Sequence, residues 1–201
     1  MPILSRHLFA LISCLLLCLS CAASCLADDP TPSVSGHLSL YINGTLQGSA
    51  DCPSAWKATG HTQLGHGLFD GKPVDFVNGL LGDVRVYDRA LSAAQIKALY
   101  TQGPQTQWHL DHTASGAQGL VGQNGPLELT GPGTSVDASR TLLDTTRSYT
   151  VSAWVSLTST DGFQTFVSQD GKSLSGFYLQ KRGDDGKFAL SVRDSDGPNP
   201  P

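Results

Sequence analysis

The chain has 201 residues, 39% of them hydrophobic and 15% charged, with 22 glycines; this is the composition of a turn-rich globular protein, long enough for one or two domains. Its formal net charge is −4, with 13 basic residues against 17 acidic ones. The basic residues are scattered, which argues against a nucleic-acid partner, since such binding needs a basic cluster that releases counterions.

The first element in chain order is a leader. Arg6 supplies a positive start, Leu8 to Leu19 an apolar run, and Cys25-Leu26-Ala27 a small-residue site before Asp28-Asp29. Residues 1–27 therefore read as a secretory signal peptide, and the mature protein as secreted and extracellular. Two alternatives stay open. Leu8 to Ala27 is just long enough to remain as a membrane anchor, the only membrane association the sequence suggests; and Ala22-Ala23-Ser24-Cys25 forms a poor lipobox, without leucine at its first position. Four of the five cysteines (Cys14, Cys18, Cys21, Cys25) lie in the leader. Cleavage after Ala27 leaves Cys52 alone, so no internal disulfide is expected; Cys52 is either a buried thiol or the link of a dimer.

Residues 28–37 read as a polar linker. Leu38 to Ile42 is a strand, and Asn43-Gly44 after it is a type I′ hairpin signal, both residues tolerating positive φ. The turn also accounts for the glycosylation sequon Asn43-Gly44-Thr45. Short strands follow over Gln63 to Leu68 and Leu81 to Tyr87. The period then changes: Leu91 to Tyr100 is a helix, with Ser92 at the N-cap, Gln95 completing a capping box, and Leu91, Ile96, Leu99 and Tyr100 on its apolar face. Gly103-Pro104 ends it. A second strand-rich region starts at Trp108 and holds strands over Tyr149 to Leu157, Phe163 to Gln169, Gly176 to Lys181 and Lys187 to Val192. Short alternating strands with one helix predict an all-β, antiparallel β-sandwich. Three prolines among residues 195–201 leave a disordered tail.

Leu40-Tyr41-Ile42-Asn43-Gly44, Gln63-Leu64-Gly65 and the run Phe76 to Tyr100, with Asp83-Val84-Arg85-Val86-Tyr87-Asp88-Arg89-Ala90-Leu91-Ser92 at its centre, resemble the closing part of a laminin-G-like (concanavalin A-like) jelly roll of the bacterial tandem type. Trp108-His109-Leu110-Asp111, Ser148 to Leu157, and the stretches 162–171 and 175–180 resemble its opening and middle parts. Residues 38–102 are thus identified as the C-terminal part of such a domain and 107–194 as the N-terminal part of the next, in reversed order. Either these are two incomplete domains or the halves pair into one circularly permuted sandwich. Pairing is favoured, because each half alone leaves an apolar face in water at about 25 cal/mol per Å². The linking strand expected after Asp194 or before Leu38, with its Trp and Asp-rich turn, is found in neither place. A gap with two unpaired strand edges is the expected consequence.

The resemblance implies a non-catalytic module that binds carbohydrate or another surface macromolecule; a structural spacer without a ligand, or a truncated adhesion fragment, is the alternative. Glucan hydrolases share this architecture, but they use glutamates in an E-x-D-x-x-E strand, and this chain has the single glutamate Glu128. No nucleophilic motif stands in their place. Among metals, calcium suits the abundant turn aspartates, and the resemblance implies Asp83 and Asp111 as ligands, although Gly82 replaces a neighbouring acid and residues 112–125 lack the family's acidic turn. His61, His66, His109 and His112 read as solvated or packing residues rather than a zinc site. For a sugar, Trp56 in the loop Cys52 to Lys57 is the candidate stacking platform, while Trp154 reads as core.

Overall fold

The computed structural model describes residues 36–52, 55–103 and 126–197, together with the backbone course of residues 10–18. Its elements are β1 (Ala10–Cys18), β2 (Gly36–Ile42), β3 (Thr45–Cys52), β4 (Thr62–Leu64), β5 (Gly67–Phe69), β6 (Lys72–Val74), β7 (Asn78–Tyr87), α1 (Ala93–Gln102), β8 (Leu127–Thr130), β9 (Val136–Asp137), β10 (Tyr149–Leu157), β11 (Gln164–Asp170), β12 (Ser175–Lys181) and β13 (Phe188–Val192). They form a six-stranded sheet in the order β3-β2-β1-β10-β7-β8 and a five-stranded sheet in the order β13-β12-β11-β4-β9. The separate hairpin β5-β6 makes a third, two-stranded sheet. All pairings are antiparallel.

The two halves are interleaved rather than adjacent. In one sheet β7 from the first half pairs with β10 from the second, and in the other β4 pairs with β11. The cause is the alternation of their strands. Val84 and Val86 of β7, Val151, Ala153 and Val155 of β10, Val167 of β11 and Phe177 and Leu179 of β12 meet in one buried cluster with Leu64, Val77, Leu81, Tyr149 and Phe166. Burying a whole side chain of this kind contributes about 1.5–3 kcal/mol, which neither half could gain alone.

A polar knot crosses the same divide. Gln169, fully buried, accepts from the Thr62 hydroxyl at 3.0 Å and the Leu143 N–H at 2.9 Å, and donates to the carbonyls of Ala58 at 2.9 Å and Leu143 at 2.7 Å. Every hydrogen-bonding position of its amide is filled.

On the other face of the six-stranded sheet lies α1. Ser92 caps it with the expected reciprocal bond from Gln95, and Leu91 and Ile96 pack with Tyr41 and Tyr87 in a second cluster. Thr150 ties the helix entrance to β10: its hydroxyl donates to the Arg89 carbonyl at 2.9 Å and accepts from the Leu91 N–H at 3.0 Å. Trp154 is buried, but not between the sheets. Alternation puts its neighbours Ala153 and Val155 in the inter-sheet core, and the indole stacks instead on Tyr100 of α1, ring centroids 5.8 Å apart. Among the described residues no helix is long and apolar enough to cross a membrane.

Several expectations shift. The Asn43-Gly44 turn forms as expected, with φ of 52° and 70°. The strand expected over Gln63 to Leu68 is two strands, β4 and β5, because Gly65 turns the chain between them with φ of 90°. β6, β8 and β9 are short strands that no local sequence pattern signals. β2 starts at Gly36, inside the stretch expected as linker, and Asp196, in the expected tail, accepts backbone N–H bonds from Lys172, Ser173 and Leu174 at 2.7, 2.9 and 2.9 Å. A strand does precede β2: the apolar run of the leader, β1, lies between β2 and β10, where the reading of the sequence expected a gap.

Candidate ligand cavity

The outer face of the five-stranded sheet carries a cavity that mixes rings with polar groups. Along β12, Phe177 and Leu179 point to the core, so Tyr178 and Gln180 point outward. The hairpin β5-β6 lies across this face. The Tyr178 hydroxyl donates to the Leu68 carbonyl at 2.5 Å and accepts from the Ser175 N–H at 2.9 Å, and the Ser175 hydroxyl accepts from the Leu68 N–H at 2.8 Å. Gly67 passes so near the Tyr178 ring that a Cβ there would sit 2.7 Å from it.

Between hairpin and sheet opens a cavity of about 320 Å³, lined by Phe69, Val74, Asp75, Phe163, Tyr178, Gln180 and Arg193, within the size range of small-ligand sites. Phe163 is 39% exposed, one of two large hydrophobic side chains at the surface among the described residues. Its loop is not loose: the buried Lys181 ammonium donates to the carbonyls of Thr160 and Gly162, and the Gln164 amide donates to the Ser159 carbonyl at 2.7 Å. The Arg193 guanidinium lies 6.0 Å from the Phe69 ring centroid and 5.9 Å from that of Tyr178, within cation–π range. Gln180 donates to the Ser191 hydroxyl at 3.0 Å.

Asp75 is the unusual member. Its backbone sits at φ 58°, a left-handed conformation that an aspartate tolerates at some cost, and its carbonyl accepts from the Thr165 N–H at 2.7 Å. Burial pushes its carboxyl above the usual carboxylate range. Such a group opposes folding when ionised: the cost is absent below the unfolded value and grows as pH rises through the raised folded value. Asp75→Asn is therefore expected to raise the melting temperature at neutral pH, with the advantage vanishing in acid, as thermal scans across pH would record.

The residues singled out from sequence fall elsewhere. Trp56 is half-buried, and its ring packs on the β11–β12 turn, where a Cβ on Gly171 would meet it at 2.3 Å; it does not line the cavity. Asp83 is buried at φ 46° in a bulge of β7, opposite the register shift between Ser152 and Trp154 of β10. Its two carboxylate oxygens accept from Arg85 Nε at 2.8 Å and Nη2 at 3.0 Å, and a site already holding a guanidinium does not fit a calcium ion. Asp111, with His109 and His112, lies outside the described residues. His61 pairs with Asp137 at 3.0 Å, while His66 is buried and stacks on Phe76; burial depresses its pKa despite the nearby Asp137 carboxylate. Among the described residues no group of three His, Cys, Asp or Glu side chains could hold a metal. Cys52 is buried, withdrawn from the surface that a disulfide-linked dimer requires. Glu128 is exposed on β8 of the opposite sheet, so among the described residues Asp75 is the only carboxylate lining the cavity.

The residues that do line it left a faint signal. Tyr178 and Gln180 alternate with core positions and present an aromatic-polar face. Asp75 and Arg193 reach the cavity only through tertiary folding. Residues 31–97 match the concanavalin A-like lectin/glucanases superfamily. No curated protein and no solved structure matches the chain.

Proposed function

We propose that this chain, whose residues 31–97 belong to the concanavalin A-like lectin/glucanases superfamily as part of a laminin-G-like domain, is a secreted, non-catalytic module that binds carbohydrate in the cavity under the β5-β6 hairpin. The observation that carries this reading is the pairing of an exposed ring with polar groups. Phe163 offers a face on which the apolar side of a pyranose stacks, and Asp75, Gln180 and Arg193 offer acceptors and donors to its hydroxyls. Retaining glycoside hydrolysis uses two carboxylates about 5–5.5 Å apart; the cavity wall supplies one.

A glycan array run with calcium and again with chelator tests the reading, followed by titration of the best glycan. Phe163→Ala is expected to weaken binding about 5- to 10-fold, the loss of one stacking contact near 1 kcal/mol, with the melt unchanged. Binding that survives Phe163→Ala but disappears with chelator would move the site away from this cavity. No binding in either condition by a cooperatively folded protein would make the chain a spacer.

A further inference from the structure

The position of β1 carries a second inference, independent of the glycan cavity. In the order β3-β2-β1-β10-β7-β8, β1 alone joins the β2-β3 hairpin to the rest of its sheet. Ala10 to Leu16 pair with Val155 to Tyr149 of β10, and Ile12 to Cys18 pair with Ile42 to Gly36 of β2. Both ladders are antiparallel, so β2 and β10 run parallel to each other and accept one strand between them, antiparallel to both. A cavity of about 220 Å³ lies among Leu38, Leu40, Ala50, Phe188 and Leu190, between the hairpin and β13.

The channel walls define what fits. At the register positions of Cys14 and Leu16 the flanking residues are Leu40 with Val151 and Leu38 with Tyr149, all in or against the inter-sheet core. The alternate positions are flanked by Ser39 with Thr150 and Tyr41 with Ser152, each of them buried. A slot walled on both faces by buried residues calls for a mostly apolar strand, and Ala10–Cys18 is apolar apart from Ser13. Without such a strand, two backbone edges open in the middle of the sheet.

We infer that the channel between β2 and β10 is a strand-acceptor site. Its occupant is Ala10–Cys18 of the same chain, which serves as a structural strand of the folded sandwich.

Hydrogen exchange by mass spectrometry on the full chain tests this, with no glycan present. In the unaltered chain, amides of Gly36–Ile42 and Tyr149–Val155 should be protected as well as those of Gln164–Asp170. Leu15→Pro removes a ladder donor at a position paired on both sides, and exchange over both strands should rise at least ~10-fold. A synthetic peptide of residues 10–18, with serine at the cysteine positions, should restore protection saturably, whereas a scrambled peptide should not. If Leu15→Pro does not fold, Leu17→Pro, which lies in the β2 ladder alone, should expose Gly36–Ile42 and spare Tyr149–Val155. Unprotected edges in the unaltered chain, indifference to both proline variants, or equal rescue by the scrambled peptide would each overturn the proposal.

Discussion

Gln169→Leu is expected to destabilise the protein by about 4 kcal/mol, read from urea unfolding. The substitution keeps the volume and removes the amide, leaving the Leu143 N–H and the carbonyls of Leu143 and Ala58 without the partners they have at 2.7–2.9 Å. The Thr62 hydroxyl loses its acceptor as well. Each buried polar group left unmatched costs about 1–3 kcal/mol, and the total falls short of a simple sum because neighbours relax together. The groups come from both sides of the reversed halves, so a loss of this size means that the halves share one interior. Gln47→Leu, at an exposed position, should change stability by less than about 0.5 kcal/mol.

The second large effect is at Gly79, where β7 meets the end of β10. Gly79 pairs with Leu157, its φ is 149°, and a Cβ would lie 2.2 Å from the Ser156 carbonyl oxygen and 2.8 Å from the Leu157 Cα. Backbone cannot swing aside as a side-chain tip can. Gly79→Ala should therefore cost roughly 3 kcal/mol or more, combining an unfavourable backbone conformation with displacement of the partner strand. Gly48→Ala is the matched control: nothing lies within 4 Å of its Cβ, and stability should stay level or rise by up to about 1 kcal/mol as the unfolded chain loses freedom. Equal effects at the two glycines would mean that β7 and β10 do not pair.

Local chemistry is what the sequence made legible. The Asn43-Gly44 turn, the Ser92–Gln95 capping box and the strand Tyr149 to Leu157 depend on residues near one another in the chain, and they form as expected. The β8 and β9 strands are short and weakly alternating, and their pairing with Asn78 to Leu81 and with Gln63 and Leu64 is set by distant partners. Trp154 reads as core from its sequence and is buried, but on the face that α1 covers, since periodicity separates two faces without saying which one a helix covers. The same limit hid the cavity. Asp75 and Arg193 are far apart in sequence and converge only when the β5-β6 hairpin lies over β12. The resemblance implies Asp83 as a calcium ligand, whereas Arg85 two residues on already neutralises its charge.

β1 is the clearest case of one pattern serving two readings. A leader core and a strand in a slot between two buried walls both call for mostly apolar runs, so composition alone assigns Ala10–Cys18 to the leader and the fold assigns it to a slot.

The claim that the reversed halves make one sandwich is tested most directly by following urea unfolding through hydrogen exchange at β7 and at β10 to β12 in the same samples. One sandwich predicts a single midpoint shared by all four strands, because β7 and β10 are neighbours in one sheet and the core between the sheets draws on both halves. Separate midpoints, with residues 55–103 opening apart from residues 126–197, would contradict it.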